Sequence, residues 1–195
     1  MARATLAVIV GNRDFFPDKL VTEARQDILT LFAEMDIKPI LLDENATKLG
    51  GVETWDDAKR CAELFRQHAG RIDGILVCLP NFGDEKGVAD TVKLSGLDVP
   101  ILVQAYPDDL AQFSVERRRD AFCGKVSACN NLRQYGFPFT LTELHTVHPR
   151  TSEFRQDLEK FLGVCRIVNG LRTARLGAIG ARPGAFNTVR YSEKL

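Results

Sequence analysis

The sequence predicts an α/β fold, a doubly wound five-stranded parallel sheet of Rossmann or flavodoxin type with helices on both faces. Three observations predict it. Four short runs, at 5–10 (TLAVIV), 37–42 (IKPILL), 74–79 (GILVCL) and 99–103 (VPILV), are apolar at nearly every position. Strands read that way when helices cover both faces of a parallel sheet. Between the runs, apolar residues recur at helical spacing, and the two patterns alternate along the chain. Parallel neighbours need crossovers long enough to hold a helix, which gives that alternation a reason.

Taken in order, the run from Thr5 is the first strand. Val21, Ala24, Ile28, Leu31 and Met35 then form one apolar stripe, the mark of a helix packed on a sheet. The second strand starts near Ile37. Trp55, Ala58, Ala62, Phe65 and Ala69 form the next stripe, with Thr54 as its cap and Gly70 as its stop. The third strand starts at Gly74, and a short helix follows near 89–93. The fourth starts near Val99. A short helix capped by Ser127 leads to Gly136, and the alternating run from Phe139 (FTLTEL) reads as an edge strand with one wet face. Ser152 caps a long helix carrying Phe154, Leu158, Phe161, Cys165 and Val168. Right-handed crossovers on both sides of the sheet give the strand order 2-1-3-4-5. This first domain spans 1–173. From 174 on, a sixth strand at 175–181, a turn at Arg182–Gly184 and a helical pattern from Asn187 read as the start of a second, truncated α/β domain; packing back onto the first domain is the rival reading.

Composition removes several functions. Lys and Arg number 26 against 26 Asp and Glu, so no bulk charge draws nucleic acid or an anionic membrane. No apolar run approaches the roughly 20 residues of a membrane span. The five cysteines are odd in number and scattered, which argues against a disulfide framework and for a reducing compartment. The first residues lead straight into a strand without a signal-peptide pattern, and the expected location is cytoplasmic. Arg117, Arg118 and Arg119 form the one charge run, read as a solvated face.

Ligands of open α/β sheets bind beyond the carboxyl ends of the strands, at the switch point. For this order those are the loops after strands 1 and 3. The first, Gly11-Asn12-Arg13-Asp14-Phe15-Phe16-Pro17, is too bulky for a phosphate-binding glycine turn, and no P-loop is present. The second is Pro80-Asn81-Phe82-Gly83-Asp84-Glu85. Its Asn81 offers a donor and an acceptor and Phe82 a flat apolar face, a pair suited to a polyhydroxylated ligand. An ordinary turn with Asp84 capping the next helix competes with that reading. His145 and His148 lack an acidic partner set for a metal site. Asp43 with Glu44, and Asp108 with Asp109, lack the other parts of a phosphoacceptor site and suit caps. Cys123 stands near a helix start and Lys125, yet no base accompanies it.

Several stretches together resemble one family. They are Ile9-Val10-Gly11-Asn12-Arg13, Leu79-Pro80-Asn81-Phe82-Gly83, Phe122-Cys123-Gly124-Lys125-Val126-Ser127, Asn130-Asn131-Leu132-Arg133-Gln134-Tyr135-Gly136 and Arg175-Leu176-Gly177-Ala178-Ile179-Gly180-Ala181-Arg182-Pro183. In that order and spacing the chain resembles the N-terminal region of L-fucose isomerase and L-arabinose isomerase-like proteins. The resemblance implies a domain of an aldose–ketose isomerase that helps build a homo-oligomer and lends residues to a neighbouring subunit's substrate mouth. Matched by position, Arg13, Asn81 and Phe82 take that substrate-binding role, and Arg182 is a weaker candidate for the pocket floor. The resemblance also implies Mn²⁺ in the full-length enzyme, held by acids and histidine of later domains; no catalytic or metal-binding residue is expected in this chain. The alternative is a free-standing, non-catalytic sugar-binding or sensor module.

Overall fold

The computed structural model describes residues 4–109, 111–112, 114, 117–177, 179–180 and 184–185. Five strands form one sheet in the order β2-β1-β3-β4-β5, and every neighbouring pair is parallel. They are β1 Thr5–Val10, β2 Lys38–Ile40, β3 Gly74–Leu79, β4 Ile101–Ala105 and β5 Thr140–Leu141. The helices between and after them are α1 Lys19–Glu34, α2 Trp55–Gln67, α3 Glu85–Ser95, α4 Ala121–Gln134 and α5 Ser152–Arg172. Helices α2, α3 and α4 pack side by side. Right-handed crossovers put them on one face and α1 on the other. Helix α5 shares the α1 side, where Arg155 pairs with Glu34.

The predicted fold and strand order are the ones observed. The central strands β1, β3 and β4 are buried at every position, so their apolar runs have no wet face to alternate with. The edges are shorter than the runs that predicted them. In β2, Pro39 has no N–H to give a further neighbour, which suits an edge. Beyond it Val52 takes over the pairing with β1: its N–H donates to the Val10 carbonyl at 2.8 Å, and Asn12 N–H donates to the Val52 carbonyl at 3.0 Å. Strand β5 keeps two residues, both exposed. Past them Thr142 turns inward to accept from Lys125 Nζ at 2.6 Å and donates to the Leu144 carbonyl at 2.7 Å, which curls the chain off the edge.

Helix ends differ from expectation in instructive ways. Helix α3 is longer than 89–93, because Asp84 caps it by accepting from Gly87 N–H at 2.6 Å and left-handed Gly96 stops it. Thr54 caps α2 as expected, in a reciprocal capping box with Asp57. Gly70 is not the left-handed stop: His68 ends α2, and Gly70 sits in a short 3₁₀ turn. Thr151, not Ser152, caps α5 by accepting from Phe154 N–H. Helix α4 begins at Ala121, and Ser127 lies inside it. Gly124 looks like a breaker in sequence, but here it is a point of contact. A Cβ there would stand 1.9 Å from the Phe82 carbonyl oxygen, so only glycine lets α4 rest on the β3–α3 loop. The turn residues Arg182 and Pro183 and the helical pattern from Asn187 lie outside the described residues. Over 175–181 the described residues, 175–177 and 179–180, carry no strand.

Two buried polar clusters tie the connections to the core. On the α1 side, Asp27 accepts from Tyr106 Oη at 3.0 Å and from Arg150 Nε, with His148 Nε2 3.5 Å away. Burial, helped by the charges of Arg119 and Arg150, lowers the pKa of His148 against the pull of Asp27. On the other side Lys125 donates to Thr142 Oγ1 and, at 2.9 Å, to the His145 carbonyl. Lys125 is only 4% exposed, and burial lowers its pKa to about 8. In the unfolded chain a lysine titrates near 10.4. Between those values the unfolded state binds more protons, so stability rises with pH there. Relative to Lys125→Met, the wild type should gain up to about 3 kcal/mol between pH 8 and 10.5, read from urea unfolding midpoints, because each pKa unit is worth about 1.4 kcal/mol.

Candidate functional site

The carboxyl ends of β1 and β3 adjoin, and the loops that leave them are joined by a buried pair of amides. Asn81 Nδ2 donates to Asn12 Oδ1 at 2.7 Å. Asn81 Oδ1 accepts from Gly83 N–H at 2.9 Å, a tight turn that Gly83 permits with φ +70. Asn12 Nδ2 donates on to Glu53 Oε2 at 3.2 Å, bringing in the segment before α2. Both asparagines are almost wholly buried. Asn81 thus lies beneath the surface of the site, where its polar atoms shape the loop; the surface position expected for it is corrected by the chain's need to satisfy Gly83 and Asn12.

Phe82, the next residue, is half-buried and faces the first loop. The Arg13 guanidinium carbon lies 4.6 Å from the Phe82 ring centroid, a cation–π arrangement, and Phe16 stacks on the same ring at 6.5 Å. Phe15 extends that aromatic surface into solvent. Arg13 Nη2 also stands 3.1 Å from Glu85 Oε2. Arg13 and Phe82 therefore occupy one end of the sheet, side by side. Beside them opens a cleft of about 660 Å³ between the two loops and the start of α2. Its acids are Asp14, Glu53, Asp57 and Asp84; its cations are Arg13 and Lys48. Burial raises the pKa of Glu53, Lys48 and Asn12 oppose the rise, and Asp14 and Asp18 add to it.

Of the arginine run, Arg117 is exposed as expected of a solvated face, but Arg118 and Arg119 are not. Arg119 donates to the Pro80 carbonyl at 2.9 Å, pairs with Glu23 and lies over Tyr106. Arg118 pairs with Asp120 and lies 6.0 Å over Phe16. Together they fasten the β4–α4 connection behind the β3 loop. An apolar groove of about 500 Å³ lies at the other end of the sheet, around the residues that precede β4 and β5. Arg172 and Asp98 on its walls pair with each other at 2.7 Å.

The other candidates separate in space. His148 turns to Asp27 and Tyr106, whereas His145 lies against Phe122 of α4. Asp43 and Asp109 accept from backbone N–H groups two residues on, as turn residues do. Cys123 is exposed, and all five cysteines are unpaired. Among the described residues no three His, Cys, Asp or Glu side chains come together to hold a metal. Nor is any helix there long and apolar enough to cross a membrane. Arg182 lies outside the described residues.

Sequence reasoning quoted Asn12 without using it and missed Glu53. A signal existed: Asn12 and Asn81 each stand two residues past the ends of adjacent strands. The site's geometry separates their effects. Asn81→Ala should cost about 2–3 kcal/mol in urea unfolding, since it strands two buried polar groups. Arg13→Ala, at the surface, should cost under about 1 kcal/mol.

The arrangement, a guanidinium laid on an aromatic ring above an amide-locked loop, supplies hydrogen-bond donors and an apolar face together. No curated protein matches the chain. Residues 7–172, nearly the whole span from β1 to the end of α5, match the fucose/sulfoquinovose isomerase N-terminal domain, and the chain belongs to that family.

Proposed function

We propose that this chain is the N-terminal domain of an aldose–ketose sugar isomerase, that it helps assemble a homo-oligomer in the cytoplasm, and that it lends Arg13 and Phe82 to the substrate mouth of a neighbouring subunit. The observation that carries the reading is the Arg13–Phe82 stack at the open carboxyl edge of the sheet. A pyranose or open-chain sugar could lie with its C–H face on the rings of Phe82 and Phe15 while Arg13 donates to its hydroxyls. Asn12 and Asn81 would hold that surface from below. Isomerisation needs a proton moved between adjacent carbons and their oxygens polarised, work for a carboxylate and a metal. We assign Mn²⁺ and its ligands to parts of the enzyme outside the described residues.

Two results test this. The 195-residue chain alone, given Mn²⁺ and fucose or arabinose, should form no ketose; metal-dependent turnover by the purified chain would refute the division of labour. In the full-length protein, Arg13→Ala and Phe82→Ala should each lower kcat/KM for a neutral aldose about 10–100-fold, with the unfolding midpoint nearly unchanged. Mixing subunits that carry Arg13→Ala with subunits disabled at their own catalytic acid should restore part of the activity in hybrid oligomers. If no mixture regains activity, the mouth is not shared between subunits.

A further inference from the structure

A further loop, the β4–α4 connection, reaches the Arg13–Phe82 stack, and one of its side chains is placed at a cost that fastening does not explain. Phe16 N–H donates to the Arg13 carbonyl at 2.9 Å, so Arg13 and Phe16 stand at the two ends of one tight turn. Both ends meet the same ring: the Arg13 guanidinium and the Phe16 ring each face Phe82. Phe16 is only 4% exposed, and the Arg118 guanidinium lies over it at 6.0 Å. The contacts therefore run Arg118–Phe16–Phe82–Arg13, two cations joined through two stacked rings.

Arg118 differs from its neighbour in the run. Arg119 uses its donors on the Pro80 carbonyl and Glu23, as a tether does. Arg118 Nε is shielded from water and makes no hydrogen bond, although Asp120 Oδ2 is 3.1 Å away. A buried donor left without a hydrogen bond is uncommon and costly. Asp120 itself holds a left-handed backbone, φ 48, at the start of α4, and its side chain caps no N–H there. That conformation costs a residue with a Cβ more than it costs glycine. Since Arg119 already supplies the tether, what these two costs secure is the flat guanidinium over Phe16. We infer that Arg118 is a positioning residue of the substrate mouth: its stack on Phe16 holds the Arg13–Phe16 turn, and so sets how the Arg13 guanidinium and the Phe82 ring are presented to a sugar. Asp120 orients Arg118 for that task. The inference rests on the proposed role of Arg13 and Phe82; Arg118 itself acts only through Phe16.

The test uses the full-length protein with fucose and reads KM and kcat separately. A surface that binds ground state and transition state alike acts on KM, so Arg118→Ala should raise KM about 3–10-fold and leave kcat within about twofold. Loss of folded enzyme would instead lower the apparent kcat and leave KM alone, so the split separates positioning from instability. Arg118→Lys keeps the charge beside Asp120 but lacks the flat guanidinium, and should raise KM nearly as much as Arg118→Ala. In a Phe16→Leu background, Arg118→Ala should change KM by less than about 1.5-fold, because the ring it acts through is gone. A wild-type KM in either Arg118 variant, a loss confined to kcat, or an effect undiminished in the Phe16→Leu background overturns the inference. If Arg118→Ala does not fold, Arg118→Lys with and without Phe16→Leu gives the same comparison. Arg13→Ala and Phe82→Ala run in parallel show which claim has failed. If they lower kcat/KM and the Arg118 variants do not, the inference falls and the mouth reading stands. If they too have no effect, both fall.

Discussion

Strands β1, β3 and β4 expose no residue to water on either face, and the rest of the domain follows from that. A sheet buried on both sides must be covered by helices on both sides, so every connection leaves by way of a strand end. The backbone groups left unpaired at those ends need partners. At the carboxyl ends of β1 and β3 they find them in Asn12, Asn81 and Gly83 and in the chain segment around Val52. The surface on which Arg13 and Phe82 rest is fastened to the core beneath it by buried hydrogen bonds, under the same rule that leaves no buried donor alone.

The irregular parts of the chain are held by charge as well as by apolar packing of residues such as Tyr106 and Val147. The connection after β4 is fastened by Arg119 to the Pro80 carbonyl and to Glu23. The turn before α5 is fastened by Arg150 to Asp27, which also takes Tyr106 from the end of β4. The curl after β5 is fastened by Lys125, and by Asp157, which accepts from Glu143 N–H at 3.2 Å. Each tether joins segments far apart in sequence, and each puts an ionised or polar group where water is scarce. Such groups are costly to orphan and so specify one arrangement of their loops, in keeping with the fixed route the chain takes across the sheet.

These facts explain what sequence could and could not show. Apolar runs and helical spacing reflect two-sided burial, so the five strands and their order were legible, down to starts within two residues at Lys38, Ile101 and Thr140. Strand and helix ends are set by partners distant in sequence, and there the reading faltered. Gly124 has the signature of a loop, and only the approach of the Phe82 carbonyl reveals why it sits inside a helix. Arg13 and Phe82 were legible because their loops had to meet at the switch point. Asn81 was legible as a polar residue of the third loop but not as a buried one, since nothing local announces that Asn12 lies opposite. The arginine run looked solvated because the stack of Arg119 on Tyr106 depends on two strand ends meeting.

The seat of α4 on the Phe82 carbonyl, with Gly124 as the point of contact, has a consequence for how such a domain can change. One residue further along, Lys125 reaches across to Thr142 beyond the edge strand. The β3–α3 loop, the fourth helix and the sheet edge therefore form a single chain of contacts. A loop exchanged between relatives would keep its shape only if the helix beneath it came too. In a lineage that acquires a new substrate, changes in the third loop and in the middle of the fourth helix are expected to be inherited as one piece, while Asp14, on the first loop and free of that seat, can vary alone.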